Sequence, residues 1–380
     1  MKRIGLFTII DYLNYGNRLQ NYAAQEVLRS LGFEVETILN EAARPEISRS
    51  EYIKNRIRNA LRQSPLKLLQ KAFNKFRDSK NKAFYEECRR KRALSFEAFS
   101  RRYICESDFR LIPGRLYENL DERYDFCVAG SDQIWNPHIR FGSSLDFLSF
   151  VPAPKRLAYA PSFGVAEIPD RYRQRYSQYL SEMATLSVRE ERGAEIIRDL
   201  CGREAKVLVD PTLMLDSSSW EAVAVPARHR PAKEYLLTYF IGALSAERKA
   251  TLQALAAVKK LEIVQLASFD DPLRYDADPG EFVDYISRAA LVCTDSFHSC
   301  IFAMLAGRPF VVFEREGKSA EMSSRLETLL KKFNFADRKY NTDRALEEWF
   351  AIDYSHFATL LEVERLQALA YLKSALNVQC

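Results

Sequence analysis

Residues 294–298, Thr-Asp-Ser-Phe-His, combine a predicted helix start with one of only four histidines in the 380-residue chain. An apolar strand predicted at residues 291–293 ends here, and Ser296 can cap the following helix by accepting a hydrogen bond from a first-turn N–H group. Free N–H groups at a helix start bind anions. Ser296, Phe297 and His298 are therefore candidate contacts of an anionic co-substrate. His298 is also a candidate acid–base catalyst, and a purely structural histidine is the alternative.

A second candidate lies in the segment Ser-Val-Arg-Glu-Glu at residues 187–191, at the end of a short predicted strand. An arginine at a strand end can bind a phosphate or a carboxylate through two parallel hydrogen bonds. Ser187 and Arg189 are therefore candidate residues for binding the co-substrate, and Arg189 is also a candidate catalytic residue. The alternative is a structural ion pair between Arg189 and either Glu190 or Asp210.

The segment Gly-Ser-Asp-Gln-Ile-Trp-Asn-Pro at residues 130–137 directly follows a predicted buried strand. Asp and Gln beside Trp are typical of sugar sites, in which polar groups bind hydroxyls and an aromatic ring covers C–H bonds. The candidate sugar-binding residues are Ser131, Asp132, Gln133 and Trp135. Asp132 is also a candidate general base for a sugar hydroxyl. The alternative is a turn in which Trp135 fills the core.

The loop Asn-Tyr-Gly-Asn-Arg-Leu-Gln-Asn at residues 14–21 connects the first predicted strand to a helix predicted to begin near Arg18. A glycine lets the backbone approach a ligand closely, and the carboxamides suit the hydroxyls of a sugar. The alternative is a capped helix start with Asn17 as the N-cap. The candidate substrate-binding residues of this loop are Asn14, Gly16, Asn17 and Gln20.

Strands and helices alternate along most of the chain, which predicts parallel sheets in an α/β fold. We predict two Rossmann-like doubly wound domains, at residues 1–175 and 176–343, and C-terminal helices at residues 344–380 that pack across the cleft. Ligands of parallel sheets bind outside the carboxyl ends of the strands. The cleft between the two sheets is therefore the predicted active site.

Residues 45–110 interrupt this alternation and are predicted to form two or three basic amphipathic helices inserted in the first domain. Residues 44–102 contain about 18 Lys or Arg against about 6 Asp or Glu, although the whole chain has a net charge of only +5. The basic helices of residues 45–102 have three interpretations: a solvated helical face, contact with an anionic membrane surface, or nucleic-acid binding. The last is not predicted, because no recognised nucleic-acid module surrounds the basic run.

No segment approaches the roughly 20 apolar residues of a membrane-spanning helix. The seven cysteines include no Cys-x-x-Cys pair, and several lie in apolar strands, as is typical of reduced cysteines. We therefore expect a cytoplasmic protein, with peripheral attachment to the inner face of the cell membrane as an option. Asp276 and Asp278 resemble an Asp-x-Asp metal motif, but they lie in a predicted loop, so no metal is predicted.

These segments occur in the order found in the polysaccharide pyruvyl transferase family, which the chain resembles over roughly residues 3–315, except for the basic insertion. The ordered set also includes Asp-Pro-Thr at residues 210–212 and Arg-Pro-Phe-Val-Val at residues 308–312. The resemblance implies a glycosyltransferase-B-like fold with an acceptor side in the first domain and a donor side in the second. By position, Arg189 and His298 correspond to the family's donor-binding and catalytic arginine and histidine.

The resemblance further implies phosphoenolpyruvate as the donor, no separate cofactor, and a ketal product in which two hydroxyls of one sugar share the pyruvyl carbon. Such an enzyme serves surface or exopolysaccharide biosynthesis, and its acceptor is a sugar, with a lipid-linked oligosaccharide as one option. Two other functions stay open at this point. One is a glycosyltransferase that uses a nucleotide-sugar donor, and the other is a non-catalytic sugar-binding protein of a polysaccharide locus.

Overall fold

A computed structural model describes residues 1–43, 81–115, 117, 119–242, 244–316 and 324–378. In this part of the chain every pair of adjacent strands is parallel, and helices lie between successive strands. The predicted α/β class is therefore confirmed. Of the predicted basic insertion, residues 45–80 lie outside the described residues.

The first sheet has five strands in the order β3-β2-β1-β4-β5. Its central strands β1 and β4 are apolar and almost wholly buried, as expected for parallel strands whose two faces are both covered. The bounds of its strands are β1 (Arg3–Phe7), β2 (Glu34–Asn40), β3 (Glu106–Leu111), β4 (Phe126–Ala129) and β5 (Arg156–Ala158).

The strand β3 corrects one boundary of the predicted insertion. We predicted an insertion over residues 45–110, but residues 106–111 pair with β2 as the edge strand of the first sheet. Their alternation of polar and apolar residues suits an edge strand with one exposed face. This strand was not predicted from the sequence, because it lies in a segment rich in charged residues.

The second sheet has four strands in the order β11-β10-β8-β9. Its central strands β8 and β10 are buried along their whole length. A two-stranded sheet, β6 and β7, lies beside the first sheet, because Thr185 forms a parallel bridge with Leu157 of β5. The domain boundary placed between residues 175 and 176 stays a prediction. The remaining strands are β6 (Ser187–Val188), β7 (Lys206–Val207), β8 (Tyr235–Tyr239), β9 (Glu262–Gln265), β10 (Leu291–Thr294) and β11 (Phe310–Val312).

Twelve α-helices are found in the described residues. Their bounds are α1 (Tyr15–Ser30), α2 (Lys82–Tyr103), α3 (Leu120–Arg123), α4 (Pro137–Arg140), α5 (Asp170–Ser181), α6 (Glu191–Cys201), α7 (Ser217–Val223), α8 (Ala246–Val258), α9 (Pro279–Arg288), α10 (Phe297–Leu305), α11 (Ser324–Lys332) and α12 (Phe357–Ala375).

The start of α1 differs from the prediction. The helix begins at Tyr15 rather than near Arg18, and its N-cap is Asn14, whose side chain accepts a hydrogen bond from the backbone N–H of Asn17. Asn17 therefore lies inside the helix and is not its cap. Gly16 weakens the helical pattern at this end of the sequence, which moved the predicted start to the first strongly helical residue.

The last helix, α12, contacts residues from both halves of the molecule. Its first residue, Phe357, packs against the ring of Phe333, whereas near its end the hydroxyl of Tyr371 donates to the carbonyl of Ala158 in β5 at 2.6 Å. One continuous apolar cluster also includes residues from the two large sheets. The helix and this shared core connect the two halves of the molecule.

The carboxyl ends of the two large sheets face each other. Gly16, which follows β1, contacts His298, which follows β10. Loops of both sheets therefore meet where parallel sheets bind ligands. This is the arrangement that the resemblance implied, and the glycosyltransferase-B-like fold class is confirmed.

Candidate active site

His298 lies in the first turn of α10, directly beyond the carboxyl end of β10. The preceding Ser296 caps the helix as predicted, because its hydroxyl accepts a hydrogen bond from the N–H of Ser299 at 3.4 Å. The N–H of Ser296 in turn donates to the hydroxyl of Thr294 at 3.0 Å. These local bonds fix the turn, and they leave the His298 side chain 8% exposed at the meeting point of the two sheets.

Asp210 joins His298 to the first half of the molecule. Its Oδ2 lies 3.6 Å from Nε2 of His298 and accepts hydrogen bonds from Arg189 Nη1 at 2.5 Å and from the Ser131 hydroxyl at 2.7 Å. Its Oδ1 accepts from the N–H and the hydroxyl of Thr212. Burial alone would raise the pKa of Asp210, but His298, Arg189 and Thr212 together hold it well below its ordinary value. The carboxylate is therefore ionised at neutral pH.

Arg189 is buried and only partly paired. Its Nη1 bonds to Asp210, whereas Nε and Nη2 have no hydrogen-bond acceptor among the described residues. Nη2 lies 3.7 Å from Oδ1 of Asp132, and the guanidinium carbon lies 4.4 Å from the centre of the Phe297 ring. The ion pair with Asp210 that we considered as an alternative does form, yet two buried N–H groups of Arg189 stay available to an anion.

Asp132 faces Arg189 from the loop after β4. Its backbone is in the left-handed region (φ 66°), and its Oδ2 accepts a hydrogen bond from Asn17 Nδ2 at 3.0 Å. Burial would raise the pKa of Asp132, but Arg189, His298 and Asn17 together lower it. An ionised carboxylate can accept a proton, and the role of Asp132 as general base stays a prediction.

Residues at the start of α1 complete the cluster formed by His298, Asp210, Arg189 and Asp132. A Cβ atom on Gly16 would lie 2.0 Å from Nδ1 of His298, so only glycine leaves room for the ring. Asn17 bonds to Asp132 and to the carbonyl of Ile9. Gln20 Nε2 bonds to the Thr8 hydroxyl, and its Oε1 has no partner among the described residues. The site thus includes Gly16 and Asn17 directly.

Two predicted residues, Trp135 and Ser187, have their polar groups bonded outside this cluster. Trp135 is fully buried, its Nε1–H donates to the carbonyl of Asp146, and its ring stacks on Phe147. The core-filling alternative describes this side chain, and no ring face is available for a sugar. The Ser187 hydroxyl is bound within the sheet, to the carbonyl of Ala158 and the N–H of Ala160.

The side chains of Gln133 and Asn14 form hydrogen bonds with residues nearby in the chain. Gln133 Oε1 accepts from Asn136 Nδ2 at 2.8 Å, and the side chain lies against Gly164, where an added Cβ would be 2.3 Å from Oε1. Asn14 caps α1. Neither contact involves Arg189 or His298. The predicted roles of Gln133 and Asn14 in sugar binding stay predictions.

The sequence motifs missed one charged residue of the site, Arg325 in α11. Its guanidinium carbon lies 6.0 Å from the centre of the Phe297 ring, on which Arg189 also lies. Burial and the repulsion of Arg189, only partly offset by Glu190 and Asp132, lower the pKa of Arg325 to about 10. No motif surrounds this arginine in the sequence, and it reaches the site only because α11 packs against α6.

The sequence model of the family described as polysaccharide pyruvyl transferase matches residues 14–317. The chain belongs to the polysaccharide pyruvyl transferase family. The matched span contains Gly16, Asp132, Arg189 and His298, which the fold brings together. As a member of this family the chain is classed as a transferase of polysaccharide biosynthesis.

This pyruvyl transferase family member is similar to several solved structures. They include a UDP-GlcNAc 2-epimerase from Neisseria meningitidis bound to UDP-GlcNAc (10% identity, TM-score 0.42, 98% of this chain and 100% of that chain covered). Another is MnaA of S. aureus with UDP (10%, 0.45, 100% and 98%). A third is UGT89C1 of Arabidopsis thaliana with UDP-L-rhamnose (12%, 0.42, 97% and 97%). No curated protein matches the chain.

The described residues of this family member contain no group of three or more His, Cys, Asp or Glu side chains that could hold a metal ion. None of their helices is both long and apolar enough to cross a membrane. The predictions on cofactors and on membrane contact by the basic helices stay predictions.

Proposed function

We propose that the chain transfers the pyruvyl group of phosphoenolpyruvate onto two hydroxyls of one sugar and forms a ketal in the biosynthesis of a surface polysaccharide or exopolysaccharide. The observation that carries this proposal is the buried Arg189, two of whose donor nitrogens make no hydrogen bond among the described residues. Arg189 bonds to the same Asp210 carboxylate that lies 3.6 Å from His298. A buried cationic donor without an acceptor is costly. A small anionic substrate that accepts these hydrogen bonds would remove that cost.

The charges around Phe297 suit this donor. Arg189 and Arg325 are both buried near the same aromatic ring, and the charge of Arg189 contributes to the lowered pKa of Arg325. Phosphoenolpyruvate has a phosphate and a carboxylate, so it can neutralise two cations at once. We propose that Arg189 binds the donor's anionic groups and that Arg325 provides a second positive charge. The N–H groups at the Ser296–His298 helix start bind the phosphate.

The chemistry assigns a proton transfer to His298. In the proposed reaction C3 of phosphoenolpyruvate gains a proton, a sugar oxygen forms a bond to C2, and the C2–O bond to phosphate breaks with its electron pair on the phosphate. The carboxylate of Asp210 lies 3.6 Å from Nε2 and can orient the His298 ring for this transfer. His298 therefore acts as the proton donor or as the stabiliser of the leaving phosphate.

The acceptor needs a base and a binding surface. The first sugar hydroxyl loses its proton as its oxygen attacks C2. The oxygen of the second hydroxyl then bonds to C2 as the phosphate departs, which closes the ketal ring, and the proton of this hydroxyl leaves with the phosphate. We assign the first proton to Asp132, whose pKa is lowered and whose Oδ1 is not hydrogen-bonded to Arg189 at its 3.7 Å separation. Asn17 orients this carboxylate through a 3.0 Å hydrogen bond.

Donor binding tests the proposal first. Phosphoenolpyruvate should raise the melting temperature of the protein, whereas UDP-glucose should not. In the second step, phosphate release is measured with phosphoenolpyruvate and a panel of hexosides that offer free 3,4- or 4,6-hydroxyl pairs. Stabilisation by UDP-glucose and none by phosphoenolpyruvate would favour the nucleotide-sugar glycosyltransferase. Hexoside binding without phosphate release would favour the non-catalytic sugar-binding protein.

The role of His298 is tested with a matched pair of variants. His298→Ala should lower phosphate release by roughly 100-fold or more, which is the usual contribution of a general acid. His229→Ala is the control, because His229 is exposed and outside the site. Near-normal turnover in a folded His298→Ala protein would remove His298 from the chemistry.

A further inference from the structure

One arginine of α2 has surroundings that differ from those of its neighbours. Arg89, Arg90 and Lys91 are exposed, whereas Arg92 is only 2% exposed. Burial of a guanidinium is unfavourable unless its N–H groups find acceptors. The contacts of Arg92 must therefore compensate for its removal from water.

These contacts join a loop of the first sheet to a loop of the second. Arg92 Nε and Nη2 donate to the carbonyl of Leu13 at 3.1 and 2.9 Å. Its Nη1 donates to the carbonyl of Tyr275 and to the hydroxyl of Tyr15, both at 2.8 Å. Leu13 precedes α1, and Tyr275 lies between β9 and α9. One side chain thus holds α2 and both loops together.

Aromatic rings complete the environment of Arg92. Its guanidinium carbon lies 4.2 Å from the centre of the Tyr15 ring and 4.5 Å from that of Phe96. Tyr15 stacks in turn on Phe282 of α9, with ring centres 4.3 Å apart and an angle of 16°. The positive charge is stabilised by ring faces and carbonyl oxygens, and the same contacts fix Tyr15 between the two sheets.

Tyr15 is directly followed by Gly16, which is the residue that contacts His298. A shift of Tyr15 would therefore change the packing against the imidazole ring. We propose that Arg92 is a positioning residue that holds the loop before α1 against the second sheet and sets where Gly16 meets His298. Its effect on turnover rests on the proposed function, whereas the geometry does not depend on the identity of the donor.

This inference gives the described end of the basic insertion a role in the site. Arg92 does not touch Arg189, Asp132 or His298 directly, so its effect passes through the loop at residues 13–16. Loss of the guanidinium should therefore disturb catalytic geometry more than donor affinity. A misplacement of about 1 Å can lower turnover roughly 100-fold.

The test compares Arg92→Met with Arg90→Met, since Arg90 is exposed on the same helix and pairs with Glu87. Arg92→Met should lower kcat about 10- to 100-fold. The dissociation constant of phosphoenolpyruvate should change less than about threefold, because Arg189 and Arg325 are intact. Arg90→Met should resemble the wild type. Tyr15→Phe, which removes only a hydroxyl bonded to Arg92, should lower kcat by a smaller factor.

A second readout does not need substrate. The ring resonances of His298 in the ligand-free protein, assigned with His298→Gln, should move in Arg92→Met and Tyr15→Phe but stay unchanged in Arg90→Met. A folded Arg92→Met protein with wild-type kcat and unmoved His298 resonances overturns the inference. If Arg92→Met does not fold, the same two measurements on Tyr15→Phe decide. If the wild type fails to bind phosphoenolpyruvate, the proposed function is wrong, and the resonances alone decide on Arg92.

Discussion

Gly16 of the first half lies in direct contact with the imidazole of His298 of the second half. An added Cβ would be 2.0 Å from Nδ1 and 2.3 Å from Cγ of the ring, whereas real Cβ contacts of this kind are essentially never below 3.0 Å. The ring therefore occupies the space that a side chain at position 16 would need. The contact crosses the boundary between the two large sheets, so it depends on their relative placement.

Gly16→Ala should therefore destabilise the protein and nearly abolish turnover. Helix propensity alone would favour alanine in α1 by about 1 kcal/mol, whereas overpacking against a buried ring costs about 1–3 kcal/mol. Urea unfolding measures the net change. The double variant Gly16→Ala/His298→Ala should recover the stability lost by Gly16→Ala, since the obstructing ring is gone. A single variant more stable than the wild type would contradict the contact.

Asp210→Asn should lower stability at pH 7 by about 3–5 kcal/mol, because it leaves the buried charge of Arg189 without its partner. The pKa of Asp210 is lowered by folding, so its contribution is complete above the unfolded value of about 3.9 and is lost as the pH falls toward the folded value. The difference in free energy of unfolding between wild type and variant should therefore decrease by about 1 kcal/mol from pH 7 to pH 3.

Urea unfolding at both pH values checks this expectation. Asp132 also has a lowered pKa, but it is present in both proteins, so the difference between them isolates Asp210. Asp343→Asn is a suitable control, because this carboxylate is exposed and is not part of the site. A gap that is the same at pH 7 and pH 3 would mean that folding does not lower the pKa of Asp210.

Arg189→Lys should mainly weaken donor binding. Lysine keeps the charge but cannot present the two free N–H groups of Nε and Nη2 in a fixed plane. The loss of a charge-assisted hydrogen bond of about 1.5–3 kcal/mol corresponds to a roughly 10- to 100-fold weaker affinity for phosphoenolpyruvate. Calorimetric titration measures it, with the exposed Arg198→Lys as the control. Unchanged donor affinity would argue against the assignment of Arg189.

Trp135→Phe should lower stability without changing substrate affinity. The variant loses the hydrogen bond from Nε1 to the carbonyl of Asp146 and part of the stack on Phe147. A buried acceptor without its donor costs about 1–3 kcal/mol. KM values for phosphoenolpyruvate and for an active hexoside should stay within about twofold of the wild type at a temperature where the variant is folded. A raised KM for the hexoside alone would restore Trp135 as a sugar contact.

The sequence by itself determined the alternation of strands and helices, the helix start at Ser296, and the family through an ordered set of short motifs. These features depend on neighbours in the chain, because hydrophobic periodicity and capping are local. The start of α1 was wrong by three residues, since Asn14 and Asn17 are both good caps and only one has the capping geometry.

The tertiary structure decided which polar side chains share a site. Asp210 lies between Arg189 and His298, and Arg325 joins them, through the packing of elements far apart in the chain. It also decided that Trp135 is core, because a tryptophan beside Asp and Gln has the same sequence pattern whether its ring faces solvent or Phe147. Burial and the pairing of charges depend on contacts between distant residues, and local sequence does not specify those contacts.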